Sequence, residues 1–295
     1  DALANMKGVE LSAQSLTFKS VNTRGFNANG NVRFNQFVDG MDNQAPGLNF
    51  AVGNIVGVSE LDVDNVELLP GASSALYGAG GTNGTLLITS KSPFTYQGFS
   101  ALLKTGVNHL DNFQRDASPY QDMSLRYARA FNDKFAFKVN FSYLTANDWQ
   151  AQDFSNFNRV TQTTKPGDRV SDPNYDGVNI YGDEINTTFG ATAGFLNGQT
   201  VSRTGYAEDV LVDYDTKSIK ASGAIHYKIS NTIEAIAQGN WGAGTSVYTG
   251  SDRYSLKDFT LGQYKLELRS ADFFIRGYTT QERSGDAYNA GHYYN

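Results

Sequence analysis

The 295-residue chain contains no cysteine, only six prolines and nowhere a run of 18 apolar residues. The first absence excludes a disulfide scaffold and nothing more. The last excludes a helical membrane span. It does not exclude barrel strands, which alternate apolar and polar residues and average out as hydrophilic. A basic excess is also missing: 24 Lys and Arg stand against 30 Asp and Glu, for a net charge of -6. With no Lys/Arg cluster interleaved with aromatics, this argues against a nucleic-acid partner. The only histidines, His109, His226 and His292, form no HExxH, and no GxSxG or Cys/His arrangement accompanies them. Acidic neighbours such as Asp183 and Glu184, or Glu208 and Asp209, face opposite ways in an extended chain and make no acid–base pair. The chain does not read as an enzyme.

What the chain has in quantity is strand and turn material, with 30 Gly, 19 Phe and 17 Tyr. From Gln97 onward the pattern has a period of two. In the stretch 134–145, Phe135, Phe137, Val139, Phe141 and Tyr143 share one face, while Lys134, Lys138, Asn140 and Ser142 share the other. The same split recurs at 219–229, where His226 falls on the polar face, and at 233–241. Seven strands are predicted, at 97–107, 120–131, 134–147, 217–229, 232–245, 258–269 and 272–283. A soluble sandwich also alternates. The connections decide: they are short at Asn132-Asp133, Ser230-Asn231 and Ser270-Ala271, and long at 108–119, 149–216 and 246–257. Short turns at one end and long loops at the other are the pattern of an outer-membrane barrel.

The N-terminal part is different. Val63, Val66, Leu68 and Leu69 read as a strand that ends at Pro70-Gly71. A short turn of helix over 73–77 follows, then Gly78, Gly80, Gly81 and Gly84, then a buried strand from Thr85 to Thr89. No GK[ST] or GxGxxG opens a helix here, so a phosphate cradle is excluded. Five blocks stand in a particular order: Arg24-Gly25-Phe26, Asp39-Gly40, Val66 to Gly71, Ser74 to Gly78 with Gly84, and Thr89 to Pro93. In that order and spacing they resemble the plug domain of TonB-dependent outer-membrane receptors. The wording is closest to the Bacteroidetes type. Leu69-Pro70-Gly71 replaces the commoner Arg-Gly-Pro order, Ser90 stands where Thr is usual, and Leu69-Pro70-Gly71-Ala72 differs from the carbohydrate-uptake branch.

The resemblance implies an α+β plug domain over 1–96, N-terminally incomplete. A transmembrane antiparallel β-barrel would follow over 97–295, of which seven strands are present out of about 22. The chain, with Asp1 following no Met and no signal peptide, reads as a processed or partly observed one. The same resemblance implies a receptor in the outer membrane of a Gram-negative bacterium that binds an extracellular ligand above its plug. Import would be driven by a TonB-type inner-membrane energy-coupling complex. Outer-membrane lipid is a further partner, and a lipoprotein lid is the partner expected of the Bacteroidetes type. Plug-motif and plug–barrel positions are Arg24, Asp39, Gly40, Glu67, Gly71, Tyr77, Gly78 and Gly84. In the family, plug charges such as Arg24 and Glu67 sit near the plug–wall interface.

Ligand contacts are expected from the plug apex at 43–54, through Leu48, Asn49 and Phe50. Aromatics of the long loop, Trp149, Phe154, Phe157, Tyr175 and Tyr181, are further candidates, since flat rings bury area at low entropic cost. Each of these also suits plain loop packing. That loop carries a second signal. Asp172, Asn174 and Asp176 with the Val178 carbonyl and Asp183 match positions 1, 3, 5, 7 and 12 of an EF-hand-type calcium loop, with Gly177 at position 6. Asp at position 12 resembles dockerin loops, and Ca2+ is the one cofactor the chain suggests. The same residues also suit a polar loop of Asx turns. The competing function is a calcium-stabilised surface β-sheet protein for binding or adhesion, without transport.

Overall fold

A computed structural model describes residues 2–51, 55–78, 80–111, 113–183, 185–249 and 253–292. Val52, Gly53 and Asn54 of the expected apex, Glu184 and the side chain of His292 lie outside the described residues.

The first part is built from short strands around polar turns. β1 (Val9–Ala13) and β2 (Lys19–Thr23) form an antiparallel hairpin. β3 (Phe34–Val38), β4 (Val63–Pro70) and β5 (Gly84–Ser90) form a sheet with the short strand Met41–Asp42, in the order Met41–Asp42, β3, β5, β4. β3 and β5 are parallel, from Phe34 opposite Gly84 to Val38 opposite Ile88, so the chain between them crosses over. That crossover contains β4 and the one-turn helix α1 (Ser74–Tyr77), which ends at Gly78.

The second part is an antiparallel meander. β6 (Gly98–Asn108), β7 (Ser118–Phe131), β8 (Phe135–Asn147), β9 (Asp215–Lys228), β10 (Glu234–Thr249), β11 (Arg253–Arg269) and β12 (Phe274–Arg283) pair in sequence order, each with the next. The β7–β8 turn is tight because Asn132 and Asp133 both take positive φ, 49° and 50°. This is the geometry of a type I′ hairpin turn, which suits Asn and Asp. The strand bounds agree with the expected ones except at one place. Of the stretch 246–257, expected as a long loop, residues 246–249 and 253–257 instead extend β10 and β11, with a register shift between Gly244 and Ser246. Tyr248 and Tyr254 lie directly opposite each other and stack at 5.1 Å, a cross-strand pair that favours continuing the ribbon.

The two faces of the meander are inverted relative to a soluble protein. Phe135, Val139, Phe141, Ile225, Trp241 and Leu266 are exposed on one face. Arg126, Lys138, Asn140, Gln238, Gln263 and Lys265 are buried on the other, under the N-terminal part. Among the described residues no helix is long and apolar enough to cross a membrane, which says nothing about crossing by strands. The apolar core shared by the two parts lies near the long-loop end of the wall, where Phe18, Ala45, Ile55 and Val56 pack with Tyr248, Leu256, Phe259 and Leu261.

The long loop is ordered by its own short ribbons. Phe157–Asn158 pairs with Thr163–Thr164, Ile180–Tyr181 with Tyr206–Ala207, and Asn186–Thr188 with Thr200–Ser202.

Candidate functional site at the plug–wall interface

Two acidic side chains of the N-terminal part reach the polar face of the wall near its short-turn end. Asp62 ends a single turn of 3-10 helix capped by Ser59, and it is 1 % exposed. Its Oδ1 accepts from Arg126 Nε at 2.7 Å. Its Oδ2 accepts from Lys138 Nζ at 2.8 Å and from Asn140 Nδ2 at 3.1 Å. Lys138 donates further to Ser90 Oγ at 2.6 Å and Lys91 O at 2.9 Å, and Arg126 Nη1 donates to Tyr96 O at 2.9 Å. One carboxylate thus pairs with two buried cations. The other donors of Lys138 and the Arg126 Nη1 are met by the chain that leads into the wall, and Arg126 Nη2 is buried without a hydrogen-bond partner among the described residues.

Asp39 forms the second seat. Its backbone takes φ 48° and Gly40 takes φ 77°, so the Asp-Gly pair makes a sharp turn toward β10, β11 and β12. The Asp39 carboxylate accepts from Ser90 N at 2.8 Å, Ser90 Oγ at 2.6 Å and Gln238 Nε2 at 2.7 Å. Lys265 Nζ donates to Asp39 O at 3.0 Å and Arg276 Nη1 to Gly40 O at 3.2 Å. Gly40 takes a left-handed φ that L side chains rarely adopt, and a Cβ there would also displace the Arg276 guanidinium. Burial pushes the Asp39 carboxyl up, but the field of Lys138 and the hydrogen bonds from Ser90 and Gln238 outweigh it and hold the group below its ordinary value.

Arg24 and Glu67, the charges expected at the interface, lie apart from these two seats on the seven described wall strands. Both are exposed. The Arg24 guanidinium rests against Gly71, 3.3 Å from where a Cβ would stand, and Gly71 itself has φ 95°. Glu67 lies on β4, the edge strand of the small sheet. Tyr77 packs its ring 5.6 Å from Phe37, and its carbonyl accepts from Asn35 Nδ2 at 2.8 Å. Gly78 caps α1 with φ 85°, and Gly84 opens β5 opposite Phe34. These motif residues organise the N-terminal part internally, and near the short-turn end the polar seats on the wall come from Asp39, Gly40 and Asp62. The sequence reading missed Asp62, Arg126 and the pairing of Lys138. The available signal was charge at inward positions of the alternating strands.

The expected ligand contacts divide the same way. Segment 43–51 lies toward the long-loop end, where Gly47 N donates to Glu282 Oε2 at 2.6 Å. Leu48 and Phe50 pack against the apolar core, and Asn49 is exposed in a turn closed by its N–H on Ala45 O at 2.8 Å. Trp149 and Phe157 are half-buried and Phe154 is exposed. Tyr175 is buried and donates to Phe154 O at 2.6 Å, and Tyr181 donates to Glu208 Oε2 at 2.8 Å. Both phenols brace the loop from within. Burial, with Glu208 beside it, pushes the Tyr181 hydroxyl well up.

The calcium-type positions are taken up by separate protein donors. Asp172 Oδ2 accepts from Lys165 Nζ at 3.0 Å and Asn156 Nδ2 at 2.8 Å. Asp176 is held by Arg159 through both carboxylate oxygens. Asn174 Oδ1 accepts from Ser202 Oγ at 2.6 Å, and Asp183 Oδ2 accepts from Gly177 N at 3.3 Å. The Val178 N–H donates to Ser155 O at 3.1 Å. A calcium ion takes six to eight oxygens about one centre, and this donor set, arranged around two cations, does not fit it. Among the described residues, no three His, Asp or Glu side chains gather as a metal site.

A strand wall with its apolar face outward and a small α+β unit seated by charge on its polar face defines the plugged class of β-barrel. Residues 1–85, less than a third of the chain, match the TonB-dependent Receptor Plug Domain. The fold as a whole is similar to three solved receptors. The FrpB iron transporter from Neisseria meningitidis is 11% identical, with a TM-score of 0.54, over 98% of this chain and 37% of that one. A mutant of the ferric enterobactin receptor from Pseudomonas aeruginosa is 14% identical, with a TM-score of 0.54, over 94% and 36%. The siderophore receptor PirA from Acinetobacter baumannii is 14% identical, with a TM-score of 0.52, over 92% and 34%. This chain therefore spans little more than a third of the structures it matches, and identities this low carry the fold alone. No curated protein matches the chain.

Proposed function

We propose that the chain is the plug and first wall strands of an outer-membrane receptor of a Gram-negative bacterium, which imports an extracellular ligand by energy-coupled rearrangement of its plug. The observation that carries this is the inverted wall, apolar outward and polar inward, with a plug seated on the polar face through Asp62 and Asp39. A ligand binds above the plug, within reach of the long loop. A TonB-type inner-membrane complex then draws the plug aside. A seat of hydrogen bonds and ion pairs suits a part that must leave and return, because water and other polar groups can replace each contact in turn. The outer face is in contact with membrane lipid.

The plug wording resembles the Bacteroidetes type, for which a lipoprotein lid is a partner, although Leu69-Pro70-Gly71-Ala72 differs from the carbohydrate-uptake branch and so speaks against glycan as the cargo. The three solved receptors are named for iron, ferric enterobactin and siderophore, and at 11% and 14% identity these names do not extend to the cargo here. In the loop 172–183 we propose that Lys165 and Arg159 do the ordering otherwise expected of calcium. The competing surface-adhesion reading leaves the exposed apolar face of the wall without a solvent it suits. The test is fractionation of the native protein. Recovery with outer membranes and heat-modifiable migration on a gel are expected, whereas recovery in the secreted soluble fraction with no heat shift would sink the proposal.

A further inference from the structure

Asp148 stands where the outer loops meet the plug, directly after β8, and the function proposed above makes no use of it. Its side chain is 1 % exposed. Oδ2 accepts from the N–H of Leu16, at the tip of the β1–β2 hairpin, at 3.1 Å, and from Thr216 Oγ1, where the long loop returns to the wall, at 3.3 Å. Oδ1 accepts from the N–H of Trp149, where that loop departs, at 3.0 Å. The Asp148 N–H donates to Tyr214 O at 3.0 Å, and its carbonyl accepts from Arg115 Nη1, on the preceding outer loop, at 2.9 Å. One residue ties two outer loops to the plug. Beside it, Ser246 Oγ bonds Ser15 Oγ at 2.9 Å and Thr17 Oγ1 at 3.0 Å, so the hairpin tip is held on both sides.

Tyr214 extends the tie outward. Its hydroxyl donates to Glu208 Oε1 at 2.8 Å, and the Glu208 carboxylate also accepts from Arg253 Nε and Nη2, each at 2.9 Å. Glu208 is 0 % exposed. Bonded groups therefore run without a break from Arg253 on the wall through Glu208, Tyr214 and Asp148 to Leu16. From Leu16 the chain leads back along β1 to residues 2–5. Burial raises the Asp148 carboxyl, and the bonds from Leu16, Trp149 and Thr216 offset only part of that. Withdrawal of any one segment leaves a buried carboxylate short of a donor, which is costly. The three segments consequently favour moving together.

We infer that Asp148 is a coupling residue through which a change in the long outer loop is passed to the β1–β2 hairpin of the plug. The inference rests on the plugged-receptor reading and adds to it the route by which the state of the loop reaches the plug. The test is a double-substitution cycle read by amide hydrogen exchange in the intact protein purified from outer membranes. Glu208→Gln weakens the latch on Arg253 and loosens the loop. Asp148→Asn keeps the shape but puts an amide where one carboxylate oxygen accepted. With Asp148 present, Glu208→Gln should speed exchange of the amides at 14–21 roughly tenfold, as expected for loss of one charged hydrogen bond. In the Asp148→Asn background, Glu208→Gln should still loosen the loop and add nothing at 14–21.

Equal acceleration at 14–21 in both backgrounds overturns the inference. So does a loosened loop with no effect at 14–21 while Asp148 is present. Thr216→Val, which leaves the carboxylate and its bond to Leu16 in place, should weaken the transmitted effect without abolishing it, and unchanged transmission counts against the route. Membrane fractionation of the unsubstituted protein tests the receptor reading separately, because the exchange cycle reports on this contact line whether or not transport occurs.

Discussion

The plug touches the wall at two levels, and the levels are made of different materials. Near the short-turn end it is seated by Asp62, Asp39 and Gly40 on Arg126, Lys138, Gln238, Lys265 and Arg276. Near the long-loop end it is seated by Phe18, Ala45, Ile55 and Val56 on Tyr248, Leu256, Phe259 and Leu261. Apolar contact tolerates small shifts but resists entry of water. Ion pairs in a buried place resist loss of one partner yet exchange readily with other polar groups once water arrives. The difference teaches that the lower seat can be dismantled stepwise, while the upper one must separate as a patch.

The comparison breaks most visibly at Asp62. Asp62→Ala leaves Arg126 and Lys138 buried without their carboxylate, a loss of about 3–5 kcal/mol. Urea unfolding of the plug, followed by proteolysis of the purified protein, should show that loss, and an unchanged midpoint would mean that the lower seat carries no weight. At the upper seat, Phe18→Ala opens a cavity beside Tyr248 and Phe50, with ring centroids 5.2 Å and 5.9 Å away. It should cost about 3 kcal/mol in the same assay. The two losses should respond differently to salt: high salt should leave the Phe18→Ala difference unchanged and shrink the part of the Asp62 effect that becomes hydrated as the plug loosens.

A smaller and pH-dependent effect belongs to Asp39. Its carboxyl is held below the ordinary value of 3.8 in the folded protein, so the folded state binds its proton more weakly than the unfolded state does. The stabilisation is complete above about that pH and is lost as pH falls through the lowered value. Asp39→Asn should lower plug stability at neutral pH by about 1.5–3 kcal/mol, the worth of hydrogen bonds to a charged group. It should also flatten the part of the stability curve below pH 3.8 that Asp39 supplies. A variant whose acid limb matches that of the unsubstituted protein would remove Asp39 from the seat.

How much of this was legible in the sequence follows from the range of the forces involved. The wall strands were readable because alternation is local: each of Phe135, Val139 and Ile225 declares its face without reference to the rest of the chain. The outer ribbon formed by 246–249 and 253–257 was missed because the Gly, Ser, Thr and Asp content of 246–257 reads as a loop, while Tyr248 and Tyr254 pair only once the strands are in register. The seat was missed for a stronger reason. Asp62 meets Lys138 across 76 residues of sequence and Asp39 meets Gln238 across 199. No local pattern distinguishes those carboxylates from the exposed Glu67. Arg24 packs on Gly71, a contact within the plug that its motif alone does not announce.

The smallest effect is expected at the long loop, where the question is what orders the segment 172–183. Asp176 and Arg159 form a bidentate pair in which Arg159 is half exposed, and such pairs contribute about 0–1 kcal/mol. Arg159→Ala should therefore shift loop stability only slightly, and hydrogen exchange at 172–183 should rise by a small factor. If protein cations order this loop, millimolar calcium should leave that exchange unchanged in the unsubstituted protein, and a chelator should leave it unchanged too. Arg159→Ala then sharpens the comparison, because it uncovers the Asp176 carboxylate without touching Asp172 or its Lys165 partner at 3.0 Å. Protection of 172–183 by calcium in that variant alone would show that the cation excludes the metal, whereas calcium protection already present in the unsubstituted protein would return the ordering role to the ion.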